Sequence, residues 1–142
     1  MAWRSPSLTR IRAPRTVHFL SDPDGRTPPV AYSSGLAARP GHAYELAVTG
    51  LPGRLSVTVI DGAEEQLVDD GLHPAEGLEL DAVLQGGYTV RLRRVTDTTR
   101  CAEARVLAGP DVEVWQILVP DKWGLFPGAT HYSEDPDAQP LL

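Results

Sequence analysis

Cysteine is nearly missing: Cys101 is the one example in 142 residues. That excludes an internal disulfide framework and any multi-cysteine metal centre. No apolar run in the sequence approaches the ~18 residues that a membrane span needs, so no transmembrane segment is expected. The opening residues lack the apolar stretch of a secretory signal, and Pro6 and Pro14 interrupt any amphipathic targeting helix. The expected location is therefore the cytoplasm, or a virion assembled there. Basic charge is also short, because the formal net charge is −6 and the pI about 5.1. This balance argues against a nucleic-acid-binding surface.

What the chain does have is turns. Thirteen Gly and thirteen Pro, with 42% hydrophobic residues, describe a packed core built from short elements. Period-two alternation recurs along the sequence, as in half-buried strands. In 43–49 (AYELAVT), Tyr44, Leu46 and Val48 share one face, and in 54–60 (RLSVTVI), Leu55, Val57 and Val59 do so. GLPG at 50–53 reads as the turn of a hairpin between them. Residues 61–77 read as an acidic loop. Further strands are predicted at 78–84, 88–95, 100–107 and 112–119, with weaker ones at 16–20 and 29–33. Arg93 and Glu103 are expected to face each other across one hairpin. The last strand carries apolar residues on both parities, Val112 and Val114 on one and Trp115, Ile117 and Val119 on the other. Either a bulge reverses it or both of its faces are covered.

Roughly seven or eight such strands predict an all-β fold, an antiparallel β-sandwich of Ig-like or jelly-roll type. The sandwich is expected over 16–119, with an extended basic arm at 1–15 and an extended acidic, aromatic tail at 120–142. The stretch from Tyr44 to Val95, with LELDAVL followed by GGYTVRL, resembles the closing strands of jelly-roll modules. Pre-peptidase C-terminal domains and carbohydrate-binding modules share that pattern. The resemblance implies the sandwich and assigns no site residue.

The chemistry-bearing residues are dispersed. His18, His42, His73 and His131 show none of the spacings of a zinc site. Asp22-Pro23-Asp24-Gly25 reads as a turn, since the twelfth position of a calcium loop falls on Ser33. Asp61, Glu64, Glu65, Asp69 and Asp70 read as a solvated acidic loop. Cys101 lacks the positive surroundings of a reactive thiol, and no serine sits in a nucleophile-elbow frame. No catalytic residue, metal or cofactor is expected, and the chain reads as a non-enzyme.

The ends carry the functional expectation. Arg4, Arg10, Arg12 and Arg15 lie on an opening segment without acids, beside Trp3. The tail holds Trp123, Phe126 and Tyr132 among prolines, a composition too aromatic for a disordered segment. Large anchors on a stiff, irregular chain suit docking onto protein. The expected partner-binding set is Trp3, Arg4, Arg10, Arg12, Arg15, Trp115, Trp123, Phe126 and Tyr132. This points to a structural or assembly protein contacting other protein subunits as an oligomer. Its architecture is similar to that of small virion components such as phage capsid decoration and tail proteins. The alternative is a carbohydrate- or small-ligand-binding sandwich module. Exposed Tyr44, Tyr88 or Trp115 would mark carbohydrate binding, and a pocket ringed by His or acids would mark a small-ligand or catalytic site.

Overall fold

Residues 15–39 and 42–142 are described by the structure, a computed structural model. Trp3, Arg4, Arg10 and Arg12 fall outside them. Six strands form one sheet: β1 Thr16–Leu20, β2 Val30–Ser34, β3 Tyr44–Thr49, β4 Glu79–Leu80, β5 Val90–Arg94 and β6 Glu113–Leu118. Their order is β1-β2-β3-β6-β5-β4. Neighbours are antiparallel except β3 and β6, which run parallel with Tyr44 beside Glu113 and Leu46 beside Trp115. Two helices complete the order, α1 Gly53–Asp69 and α2 Ala102–Ala108, with a 3-10 turn at Leu36–Ala38. One open mixed sheet with helices replaces the predicted two-sheet, all-β antiparallel sandwich.

The largest departure is α1. Val57, Thr58, Val59 and Ile60 favour strands locally, yet the segment from 53 to 69 is helical. Its buried residues Ser56, Val59, Ile60, Ala63, Glu64 and Leu67 recur every three or four positions and give the helix one continuous inward stripe. Val57, assigned to the core by alternation, is 40% exposed, and Leu55 is exposed too. Burial of the helical stripe against the sheet outweighs β propensities worth at most ~1 kcal/mol per residue. The predicted hairpin 43–49/54–60 is instead a strand followed by a helix.

The second departure is α2, where a strand was predicted over 100–107. Ala102, Glu103, Ala104 and Arg105 are good helix formers, and Cys101 and Ala104 supply a buried face. The Glu103 backbone N–H donates to the Tyr32 hydroxyl at 3.1 Å, which satisfies one of the donors a helix start leaves bare. Gly109, at φ +97°, closes the helix with its N–H on the Arg105 carbonyl. Arg93 consequently does not meet Glu103; its guanidinium donates to the Gln116 side chain at 3.2 Å.

The helices lie on opposite faces. Leu46, Val48, Val59, Ile60, Leu67, Leu80, Leu92, Trp115 and Ile117 make the core beneath α1. Val30, Tyr32, Ala47, Cys101, Ala104, Val112, Val114 and Leu142 make the other. β6 therefore carries apolar residues on both parities because both its faces are covered.

The tail folds back on the second face. Asp121 organises its start, accepting the backbone N–H groups of Trp123, Leu125 and Ser133. Gln139 bonds both backbone groups of Val119. The Pro140 carbonyl accepts from Thr49 and Gln116, and the Leu142 N–H donates to Gln116. Gly50, at φ +78°, leaves room for this strap, since a Cβ there would overlap the Ala138 carbonyl.

Candidate functional site

Parallel pairing places the starts of β3 and β6 side by side, and the polar residues there share one edge of the sheet. Tyr44 opens β3 and Glu113 opens β6 in register. Arg94 ends β5 and pairs with Trp115 in the antiparallel register. The end of α1 and the loop after it, through Leu67, Val68, Gly71, Leu72 and His73, cover this edge. Together with His42 and Tyr44 they line a cavity of about 290 Å³. That lies at the small end of the ~300–1,000 Å³ span of ligand pockets.

Tyr44 is the centre of the cavity wall. It is 2% exposed, with the His42 ring 5.6 Å away and the His73 ring 5.9 Å away, edge-on at 88°. Burial, then the nearby Glu64 carboxylate, push its phenol up to about 12 against the smaller opposing influence of Arg39. The phenol is a proton donor throughout the neutral range. Its hydroxyl makes no hydrogen bond with any of the described residues.

His73 is set from behind by a chain of polar contacts. Pro74 follows it and is buried, which restrains the His73 backbone to extended conformations. The His73 Nε2 lies 3.6 Å from Glu113 Oε2, the same oxygen that accepts the Trp115 indole N–H at 2.5 Å. Arg94 stands 3.8 Å from the other Glu113 oxygen and lies over the Trp115 ring. Glu113 is thus held on two sides, and an imidazole approaching it meets a fixed carboxylate.

Beneath the cavity, Glu64 of α1 is 2% exposed. It accepts from Arg15 Nε at 2.7 Å and from the Arg39 guanidinium, and Arg15 also reaches Asp61. Burial opposes the Glu64 charge, but the two guanidiniums prevail and hold its carboxyl below the usual range. A second buried acid, Glu45, is a structural cap: it accepts from the Ser33 hydroxyl and the Leu36 and Ala37 N–H groups. Desolvation raises its pKa despite these bonds.

The expected partner-binding residues that are among the described residues do not converge. Arg15 is tied to Asp61 and Glu64 within the chain. Trp115 is 6% exposed in the core beneath α1. Phe126 is 6% exposed under the Arg91 guanidinium, 4.2 Å from its ring centre. Tyr132 accepts a bond from Gln139. Trp123 stays 70% exposed. The acidic loop expected at 61–77 is instead helical through Asp69. Asp22 takes the turn role expected of it, accepting from the Asp24, Arg26 and Thr27 N–H groups. His18 bonds Ser34 and stacks on Tyr32. Burial pushes the Cys101 thiol up to about 11, so it is not a thiolate near neutrality. Among the described residues no three His, Cys, Asp or Glu side chains are grouped to hold a metal.

Sequence reasoning passed over His42, Tyr44, His73 and Glu113 as members of one site. The only local signal was the His-x-Tyr pair entering a strand. The fold defines a three-layer domain, a mixed six-stranded sheet between α1 on one face and α2 with the tail on the other. Residues 11–133 match the family model described as a domain of unknown function, DUF4262, and the chain belongs to that family. No curated protein and no solved structure shows significant similarity to it. The matched span includes every residue of the cavity.

Proposed function

We propose that the chain is a small-molecule-binding domain whose site is the cavity between the end of α1 and the starts of β3 and β6. The carrying observation is the convergence of His42, Tyr44 and His73 on one cavity that also has an apolar wall of Leu67, Val68 and Leu72. A few polar groups set against apolar lining fix a ligand's orientation while burial supplies affinity. The Tyr44 O–H, without a partner among the described residues, calls for an acceptor oxygen. The fitting ligand is small, with an apolar ring-sized part and a carbonyl or carboxylate oxygen. Benzoate is a direct probe. Titration followed by ¹H–¹⁵N NMR should give saturable shifts at Tyr44, Leu72 and His73, weakened about tenfold or more in Tyr44→Phe. Shifts scattered over the surface, or equal affinity in the variant, would remove the reading.

Assembly through protein contacts is a second reading, favoured by one feature. Trp123 is held 70% exposed on a backbone pinned by Asp121, a presentation suited to insertion into a partner's pocket. The other aromatic anchors of the tail are engaged within the chain.

A further inference from the structure

We propose that the cavity is catalytic and transfers a proton at a carbon adjacent to a carbonyl, with His73 as the general base and Tyr44 as the hydrogen-bond donor to the carbonyl oxygen. This rests on the binding reading above and names the reaction for the same site. Three observations carry it.

The first is the His73–Glu113 pair. His73 turns Nε2 toward a carboxylate that Trp115 and Arg94 hold in place. A proton on Nε2 then faces Glu113, and the lone pair stays on Nδ1. Such a base-and-orienter pair is the arrangement that proton abstraction requires, and its 3.6 Å separation is of the kind that shortens when substrate closes the site. The second is Tyr44, a buried phenol with no partner among the described residues, on the wall His73 also lines. A preorganised donor stabilises charge that develops on oxygen. The third is what the lining offers: among His42, Tyr44, Leu67, Val68, Gly71, Leu72 and His73 there is no serine, threonine or cysteine nucleophile. Acid–base chemistry is what these side chains supply.

The step balances without a co-reactant. The C–H bond breaks and its proton goes to His73 Nδ1. The electron pair moves into the new C=C bond and onto the carbonyl oxygen, which Tyr44 O–H stabilises as an enolate. Glu113 stabilises the imidazolium so formed. Return of the proton from Nδ1 to the oxygen gives the enol, and return to carbon gives back the ketone.

Phenylpyruvate joins an apolar ring, a carbonyl and an exchangeable C–H in one small molecule. With the full chain in D₂O, loss of its methylene signal in ¹H NMR should run at least tenfold faster than in buffer alone. His73→Ala, at an exposed position, should lower the protein-dependent rate ~10²-fold or more, and Tyr44→Phe by a similar factor. Glu113 acts through His73 as a positioning residue. Glu113→Gln should therefore lower kcat for the exchange about tenfold while leaving the KM for phenylpyruvate near that of the parent chain, a split that mere loosening of the fold would not give. Matching far-ultraviolet circular dichroism and melting curves show that each variant is folded. Saturable benzoate binding with phenylpyruvate exchange at the buffer rate overturns the catalytic proposal and leaves the binding reading standing. Absence of binding by both compounds overturns the two together. A His73→Ala variant as fast as the parent chain overturns the assignment of the base.

Discussion

Replacing Gln116 by leucine tests whether the tail belongs to the body of the domain or is free to reach a partner. Gln116 is 0% exposed and lies in β6, the strand between β3 and β5. All of its side-chain capacity is used. Its oxygen accepts from Arg93 at 3.2 Å and from the Leu142 N–H at 2.9 Å. Its nitrogen donates to Thr49 at 3.1 Å and to the Pro140 carbonyl at 2.8 Å. Leucine fills nearly the same volume and makes none of these bonds. The partners fare unequally. Thr49 keeps its bond to Pro140, and Arg93 keeps its bond to the Leu142 main-chain oxygen. The Leu142 N–H, recorded only on Gln116, is stranded in a buried place at a cost of about 1–3 kcal/mol. Adding the weakened neighbours and subtracting the gain from a buried apolar side chain leaves roughly 2–4 kcal/mol. For a urea slope of ~2 kcal/mol/M, the unfolding midpoint should fall by about 1–2 M. Amide exchange should accelerate first at Leu142 and Val119, before the centre of the sheet opens. A midpoint and exchange pattern like those of the parent chain would refute the docking of the tail on this face.

A contrast within the core separates helix from strand over residues 53–69. Leu92→Ala, at a 0% exposed position, should cost about 2–5 kcal/mol, whereas Val57→Ala, 40% exposed, should cost less than ~1 kcal/mol in the same denaturation assay. A Val57 loss equal to that at Leu92 would reinstate the strand. Alkaline titration should show Tyr44 ionising late. Its pKa rises from 10.0 to about 12, and that of Cys101 from 9.0 to about 11, each chiefly through burial. Both folded-state values lie above the unfolded ones, so each group's contribution is complete below its unfolded pKa and is lost as pH climbs through the folded value. Melting temperature should therefore decline from about pH 9 upward, and Tyr44→Phe should flatten the decline between pH 10.0 and about 12. A decline unchanged in Tyr44→Phe would mean that the phenol is not buried.

Strands whose alternation agrees with their tertiary setting were legible. Leu46, Leu80, Val90 and Leu92 fall in the core where period two puts them, and the turn at Asp22 lies where Asp, Pro and Gly mark it. Alternation misled where it coincided with a helical stripe. In RLSVTVIDGAEEQL the residues Ser56, Val59, Ile60, Ala63 and Leu67 fit a helix, but read only as far as Ile60 the segment also fits a strand. The deciding signal lay in the acidic residues beyond, which read as a loop because charge was taken as a mark of solvent. Glu64 is the counterexample, buried and compensated by Arg15 and Arg39. An acid can sit inside when two guanidiniums offset its desolvation.

The site was hidden for a different reason. His42 and Tyr44 are neighbours in sequence, but His73 is reached through a helix and Glu113 through two further strands and α2. Only the parallel pairing of β3 with β6 brings Tyr44 beside Glu113. Parallel pairing leaves no local mark, because its turn is replaced by a crossover tens of residues long. The same pairing explains how these residues come to lie together. The sheet holds the backbones of these strand starts in register. Tyr44 and Glu113 gain fixed positions from β3 and β6, and His73 gains its approach from a loop that α1 and Pro74 constrain. An imidazole on a loop facing a phenol on a strand is the arrangement on which the proton transfer proposed for this cavity rests.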